Sequence, residues 1–340
     1  MSCLQTTYLG FELNSPVIPG ASPMCQDLSM VRRLEDAGAP MIVMHSVFEE
    51  QIIREQMAFN YGFEIGDNSH AESITYLPHS HEFRLGPDEY LDLITKIKAA
   101  VNIPVVASLN GHSLGGWVSY AKQLQQAGAD ALELNIYDPV LDPDISAASV
   151  EHSALDVIRA VRHAVTIPIA VKLSPFYTSF VHFAREIDRL GVEGFVLFNR
   201  FYQPDIDIEK LDVHADLHLS TPAELLPRLR YTAALFGKIT ANVAVTGGVH
   251  NAEGVLKSVM AGASAVQMVS ALLINGPDYL RRIRAELLRW LELHHYESLS
   301  QARGSLSLLH TPNPAAFERG NYMRILQSWA SAGPIASKGE

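Results

Sequence analysis

Eight short runs of almost unbroken apolar character recur along the chain, at 15–19, 41–44, 105–109, 131–135, 169–173, 194–198, 243–246 and 265–268. Strands of a parallel sheet are buried on both faces, so they read as continuous hydrophobic segments rather than as alternating ones. Between most of these runs lie stretches of helical pattern, for example 116–126, 153–164 and 251–261. The order is therefore strand then helix, repeated eight times, which predicts a (β/α)8 barrel. A doubly wound open sheet shares the alternation and is the architectural alternative.

The boundaries carry their own signals. Gly38, Gly128, Gly191 and Gly262 each follow a helical stretch and precede a strand, where a left-handed residue closes a helix. Ile103-Pro104 and Ile167-Pro168 open two further strands, at the one position where a missing N–H does no harm. Two long stretches, 49–86 and 201–227, break the rhythm. In a barrel such segments follow strands and lie over the active face. The stretch 277–295 reads as an amphipathic closing helix, 309–329 as a Pro-interrupted extension with another helical segment, and 331–340 as a disordered tail. The chain is thus expected to be one domain over 1–330.

In a barrel enzyme the chemistry sits at the C-terminal ends of the strands, so polar residues that end apolar runs stand out. Asn110, Asn135, Lys172 and Asn199 occupy such positions. An amine beside an apolar strand must find an anion or lose its charge. Lys172 therefore reads either as a structural ion pair with Glu133 on the neighbouring strand, or as a cation that stabilises negative charge on a cofactor or enolate. Thr246-Gly247-Gly248-Val249 turns from the seventh strand into a helix, and Ser270 follows the eighth. Loops at those two places present backbone N–H groups to a phosphate.

Composition narrows the function. Of 340 residues, 48% are hydrophobic and 19% charged, enough apolar material for a large core. A net charge of −11 without a Lys/Arg run argues against nucleic acid as a partner. The N-terminus lacks a signal-peptide pattern and no stretch approaches a membrane span, so a cytoplasmic protein is expected. Cys3 and Cys25 are too few for a disulfide framework or an iron–sulfur cluster. His79 and His81 lack a third ligand at metal-binding spacing, and Asp138, Asp142 and Asp144 lack the glycine and glutamate of a calcium loop, so no metal is expected.

Taken together, Asn14-Ser15-Pro16 through Ala21-Ser22, Ala107-Ser108-Leu109-Asn110-Gly111, Glu133-Leu134-Asn135, Val171-Lys172-Leu173-Ser174-Pro175, Phe198-Asn199, Thr246-Gly247-Gly248-Val249 with Gly262-Ala263-Ser264, and Ser298-Leu299 leading to Arg303-Gly304 make the chain resemble the dihydroorotate dehydrogenase family. The similarity runs from about Tyr8 to Arg303 and is nearest to the class 1 enzymes and a dihydroorotate dehydrogenase-like branch. The resemblance implies FMN as cofactor, with Ala21, Ser22, Ser46, Asn110, Asn135, Lys172, Gly247, Gly248 and Ser270 at flavin-contacting positions. It implies Asn135 and Asn199 as holders of a pyrimidine-like ring, and a homodimer as the assembly.

The chain departs from the family pattern at the substrate side. His45 stands where the family has a lysine, Asp138 stands at the position of the family's Cys or Ser base, and Val140 replaces an asparagine. A glycine-rich turn expected after the sixth strand is missing from 214–222. A carboxylate is a competent base if desolvation raises its pKa, so the resemblance implies Asp138 as base, with a loop-capping Asp before Pro139 as the alternative, and His45 as a substrate contact. The leading expectation is an FMN-dependent dehydrogenase of a C–C bond in a dihydroorotate-like or dihydropyrimidine-like ring, with an unassigned electron acceptor. A non-catalytic or electron-transferring flavoprotein subunit stands beside it, as does a dihydrouridine synthase, which the charge and the cysteine positions disfavour.

Overall fold

The structure is a computed structural model that describes residues 3–49, 87–111, 113–137, 140–200, 203–214, 218–317 and 319–329. Eight parallel strands form its centre: β3 (Val17–Pro19), β4 (Ile42–Phe48), β5 (Val105–Asn110), β6 (Ala131–Asn135), β7 (Ile169–Leu173), β8 (Gly194–Leu197), β11 (Asn242–Thr246) and β12 (Ala265–Met268). Their hydrogen-bonded order is β3-β12-β11-β8-β7-β6-β5-β4, and the two ends, β3 and β4, pack against each other. That near-closure makes a (β/α)8 barrel and excludes the open doubly wound sheet, whose edge strands stand apart.

The burial pattern explains why the strands read as uniformly apolar. Leu132, Leu134, Val171, Phe195 and Val245 pack outward in the layer shared with the helices, while Ile18, Val43, Val106, Ala131, Ala170, Val196, Ala244 and Ala265 line the lumen. Small residues dominate that inner set because eight strands leave little room at the axis. Each intervening helix docks an apolar stripe on the outer layer, as Ile158 and Val161 of Ala147–Ala164 do. The four helix-to-strand glycines predicted from the sequence have φ of +95°, +97°, +78° and +127°, a conformation that costs other residues strain.

Two pairs of strands were not foreseen. Strands β1 (Thr6–Tyr8) and β2 (Phe11–Leu13) form a hairpin whose turn residues, Leu9 and Gly10, have φ of +53° and +82°. Tyr8, Leu9 and Leu13 plug the lumen at the N-terminal ends of the strands, where Leu9 N donates to Asn242 Oδ1 at 3.1 Å. Within the stretch 201–227, β9 (Asp205–Asp207) and β10 (Asp212–His214) form a second hairpin. A 3-10 turn, Pro222–Glu224, then leads into the helix Leu225–Leu235. Beyond β12 lie the helices Ser270–Asn275, Tyr279–Leu293, Leu299–Ala302 and Gly320–Trp329, matching the expected closing helix and tail segment. The stretch 50–86 and the tail from Ala330 lie outside the described residues. No described helix is long and apolar enough to cross a membrane.

Candidate active site

Along β6 and β7 the side chains alternate, so Ala131 and Ala170 point into the lumen and, two residues on, so do Glu133 and Lys172. These two form an ion pair at 3.1 Å, with Glu133 fully buried and the lysine side chain 12% exposed. The second carboxylate oxygen of Glu133 accepts from Gln267 Nε2 at 2.6 Å. Strands β6 and β12 stand on opposite sides of the barrel, so this bond crosses the lumen. The phenol of Tyr8, from the plug, is held far above its usual pKa by burial and then by the Glu133 charge. A charged layer thus separates the apolar lumen from the mouth. The ion pair weighed for Lys172 in the sequence is present, and the amine still belongs to the strand-end layer.

In register with Glu133, Ser108 shares a hydrogen bond of 2.7 Å with Ser46 on the neighbouring strand. Asn110, at the end of β5, is buried. Asn135 is paired in register with Lys172, and its Oδ1 is buried without a hydrogen-bond partner among the described residues. The same holds for His45 Nδ1 and Gln267 Oε1. His45 packs edge-on to Tyr90, whose hydroxyl donates to the His45 carbonyl at 2.7 Å. Burial lowers the imidazole pKa to about 4, so His45 is neutral at pH 7. Asn199 donates from its backbone to Leu173 O at 2.9 Å and from Nδ2 to Ile136 O at 3.5 Å, tying the end of β8 to the loops after β6 and β7.

β3 is followed by Gly20, whose N–H bonds to Met268 O at 3.1 Å and whose Cα lies so close to Val269 that a Cβ would come within 2.8 Å of it. Ala21 and Ser22 follow at the mouth, with Ser22 buried and flanking the 3-10 turn Pro23–Gln26. Cys25, on that turn, is fully buried and its thiol is pushed up to about 12, which makes it a core residue rather than a nucleophile.

Next to it, the loops after β11 and β12 converge. Gly247 and Gly248 both have positive φ, +83° and +78°, and a Cβ at Gly248 would meet Leu225 N at 2.4 Å. Ser270 Oγ accepts from Ser220 N at 3.0 Å and from Ser220 Oγ at 2.9 Å, while Gly248 N donates to Ser220 Oγ at 3.3 Å. His250 Nε2 lies 3.3 Å from the same hydroxyl. Arg228, on the helix Leu225–Leu235, is buried beneath this turn and donates to the carbonyls of Thr246 and Glu224. Burial lowers its pKa, the Glu224 charge opposing and the Arg200 charge assisting.

The structure therefore brings Ala21, Ser22, His45, Ser46, Asn110, Asn135, Lys172, Asn199, Gly247, Gly248 and Ser270 to one end of one barrel. Asp138, His79 and His81 lie outside the described residues. Val140 lines an apolar cavity with Ile136, Tyr137 and Tyr177 beside the mouth. Asp142 is exposed and accepts from Asp144 N at 2.9 Å, an ordinary turn contact. Gln267, Ser220, His250 and Arg228 were missed. Gln267 carried a legible signal, a polar residue inside an apolar strand, whereas the other three come together only through the loop at 218–224.

Comparison with known proteins places these features in a family. The model of the family described as dihydroorotate dehydrogenase matches residues 84–291. The catalytic subunit of dihydroorotate dehydrogenase B (NAD(+)) from Anoxybacillus flavithermus is 30% identical over 211 residues, 61% of this chain and 67% of the relative. The subunit of the same name from Methanocaldococcus jannaschii is 26% identical over 311 residues, covering 85% and 94%. That from Thermoplasma volcanium is 24% identical over 308 residues, covering 89% and 98%.

Proposed function

The chain belongs to the dihydroorotate dehydrogenase family, and from that premise we propose that it is an FMN-dependent oxidoreductase of a C–C bond in a dihydroorotate-like or dihydropyrimidine-like ring. The observation that carries the reading is the set of buried polar atoms at and just below the mouth, His45 Nδ1, Asn135 Oδ1 and Gln267 Oε1, that have no partner among the described residues. Leaving such atoms unpaired costs about 1–3 kcal/mol each, and a planar ring with alternating donors and acceptors would satisfy them. FMN, when bound, supplies a two-electron acceptor for a hydride leaving a ring carbon.

This chain's residues would supply the rest. Ala21, Ser22, Ser46, Asn110, Asn135 and Lys172 would hold the flavin ring, and Gly247, Gly248 and Ser270 its phosphate. Asn135 and Asn199 would orient the substrate, because an amide offers both a donor and an acceptor to a ring's amide edge. Lys172 would stabilise negative charge, tempered by its pairing with Glu133. Asp138 would take the proton released with the hydride. Its position in the sequence, where the family carries its Cys or Ser base, supports that role. Neutral His45 offers a carboxylate no permanent cation, which favours a ring less acidic than dihydroorotate as the preferred substrate. The proposed setting is cytoplasmic, with a homodimer as the assembly.

The visible spectrum of the purified protein tests the first half. Flavin absorbance is expected, and a protein that neither carries nor takes up FMN overturns the reading. Anaerobic bleaching on addition of dihydroorotate or dihydrouracil is expected next. Retained FMN with no bleaching by any dihydropyrimidine would instead identify a flavoprotein without this turnover. Asp138→Asn is expected to slow bleaching by about 10²-fold or more, in line with the loss of a general base.

A further inference from the structure

The buried Arg228 has no assigned role. Its Nε and one terminal nitrogen are satisfied by the neutral carbonyls of Thr246 and Glu224. The remaining nitrogen, Nη2, lies where a Cβ on Gly247 would come within 2.7 Å of it, and it makes no hydrogen bond among the described residues. Only 9% of the residue is exposed, and among the described residues no carboxylate lies within ion-pairing distance of the guanidinium. Glu224 is the acid nearest in sequence, but its Oε1 accepts from Thr221 N at 2.9 Å within a capping box. Two carbonyls would suffice to pack this position with a neutral donor. The Glu224 charge acts on it without an ion-pair contact, so a positive charge buried against a Gly-Gly turn is left able to take a closer anion.

We propose that Arg228 is a phosphate-recognition residue, its free Nη2 contacting the phosphate monoester of FMN at the Gly247–Gly248 turn. The proposal rests on the FMN reading above and deepens it: the cofactor's charged end would be held by a side-chain cation as well as by backbone N–H groups. The planar guanidinium, fixed by its two carbonyl bonds, presents its third edge without further loss of freedom. Its consequence is discrimination, since a flavin without phosphate leaves the cation unpaired. Arg228 would therefore set the preference of the protein for FMN over riboflavin.

The test is titration of the flavin-free full chain with FMN and with riboflavin, followed by flavin fluorescence. Wild-type protein is expected to prefer FMN. Arg228→Gln is expected to lose roughly 10- to 100-fold in FMN affinity, the size of one charge-assisted hydrogen bond, with riboflavin affinity unchanged. An FMN preference that survives in R228Q overturns the proposal, and so does an equal loss for both flavins, which is the mark of a merely structural arginine. Should R228Q fail to fold, R228K carries the test: a reduced FMN-to-riboflavin preference supports the proposal and an unchanged one overturns it. Wild-type protein that binds neither flavin overturns the FMN reading itself, a result distinguishable from these.

Discussion

The two sides of the barrel mouth are built in opposite ways. At the ends of β11 and β12 the turn Gly247–Gly248, Ser220, Ser270 and His250 close on one another through hydrogen bonds of 2.9–3.3 Å, and Arg228 is pinned beneath them. On β4 and at the end of β6, His45 and Asn135 keep buried atoms without a described partner. The first arrangement spends its polar atoms on one another, which suits the proposed role of holding a group of constant shape and charge. The second is completed by whatever ring it accepts.

The polar layer between the sides is the most sensitive place to test. Lys172→Met leaves the Glu133 carboxylate buried without its cation, and should cost about 3–5 kcal/mol in urea denaturation. The double variant K172M/E133Q should recover most of that loss. Equal losses for single and double variants would show that the pair does not act as a unit.

Next in size, Gly248→Ala should cost about 2–4 kcal/mol, because the position has positive φ and a Cβ would meet the backbone of Leu225. If the Gly247–Gly248 side is as rigid as described and holds the flavin phosphate as proposed, flavin uptake should fall with stability. A variant that melts normally and binds FMN normally would mean that the turn adapts.

On the open side the expected effect is one of pH. The His45 pKa, about 4 in the folded protein, lies below the usual unfolded value of about 6.5, so the unfolded chain binds the extra proton more readily. Stability from this group is complete above pH 6.5 and is lost as pH falls toward 4, by about 2 kcal/mol at pH 5. Urea midpoints measured between pH 7.5 and 5 should show that decline, and it should be shallower in His45→Gln. Parallel curves would remove burial of a neutral imidazole from the account. Smallest of all, Ser220→Ala should cost about 1 kcal/mol of stability, by loss of its hydroxyl bonds to Ser270 and Gly248. Melting curves of the two proteins would detect it.

Much of the barrel was legible because each strand–helix unit announces itself locally. The segments 131–135, 169–173 and 265–268 coincide with β6, β7 and β12, and the others differ by at most a few residues at an end, as where β4 runs on to Phe48. The helix-closing glycines were readable because a positive φ constrains residue type on the spot. The N-terminal plug was hidden because its turn begins with Leu9, a residue that rarely accepts φ of +53°. The hairpin β9–β10 was hidden inside a stretch with acidic and aliphatic residues but no Gly-containing turn.

What the sequence determined by itself is what depends on neighbours along the chain: the apolar strands, their glycine and proline boundaries, and the residues that end each strand. Only the tertiary structure decided which of those residues meet. Glu133 and Gln267 are 134 positions apart, and closure of the barrel brings them within 2.6 Å across the lumen. Arg228 reads in sequence as one charged residue on a helix, and becomes a buried cation under Gly247 only when that helix packs against β11. Burial and partnership belong to the closed barrel, because charge and desolvation act through space and not along the chain.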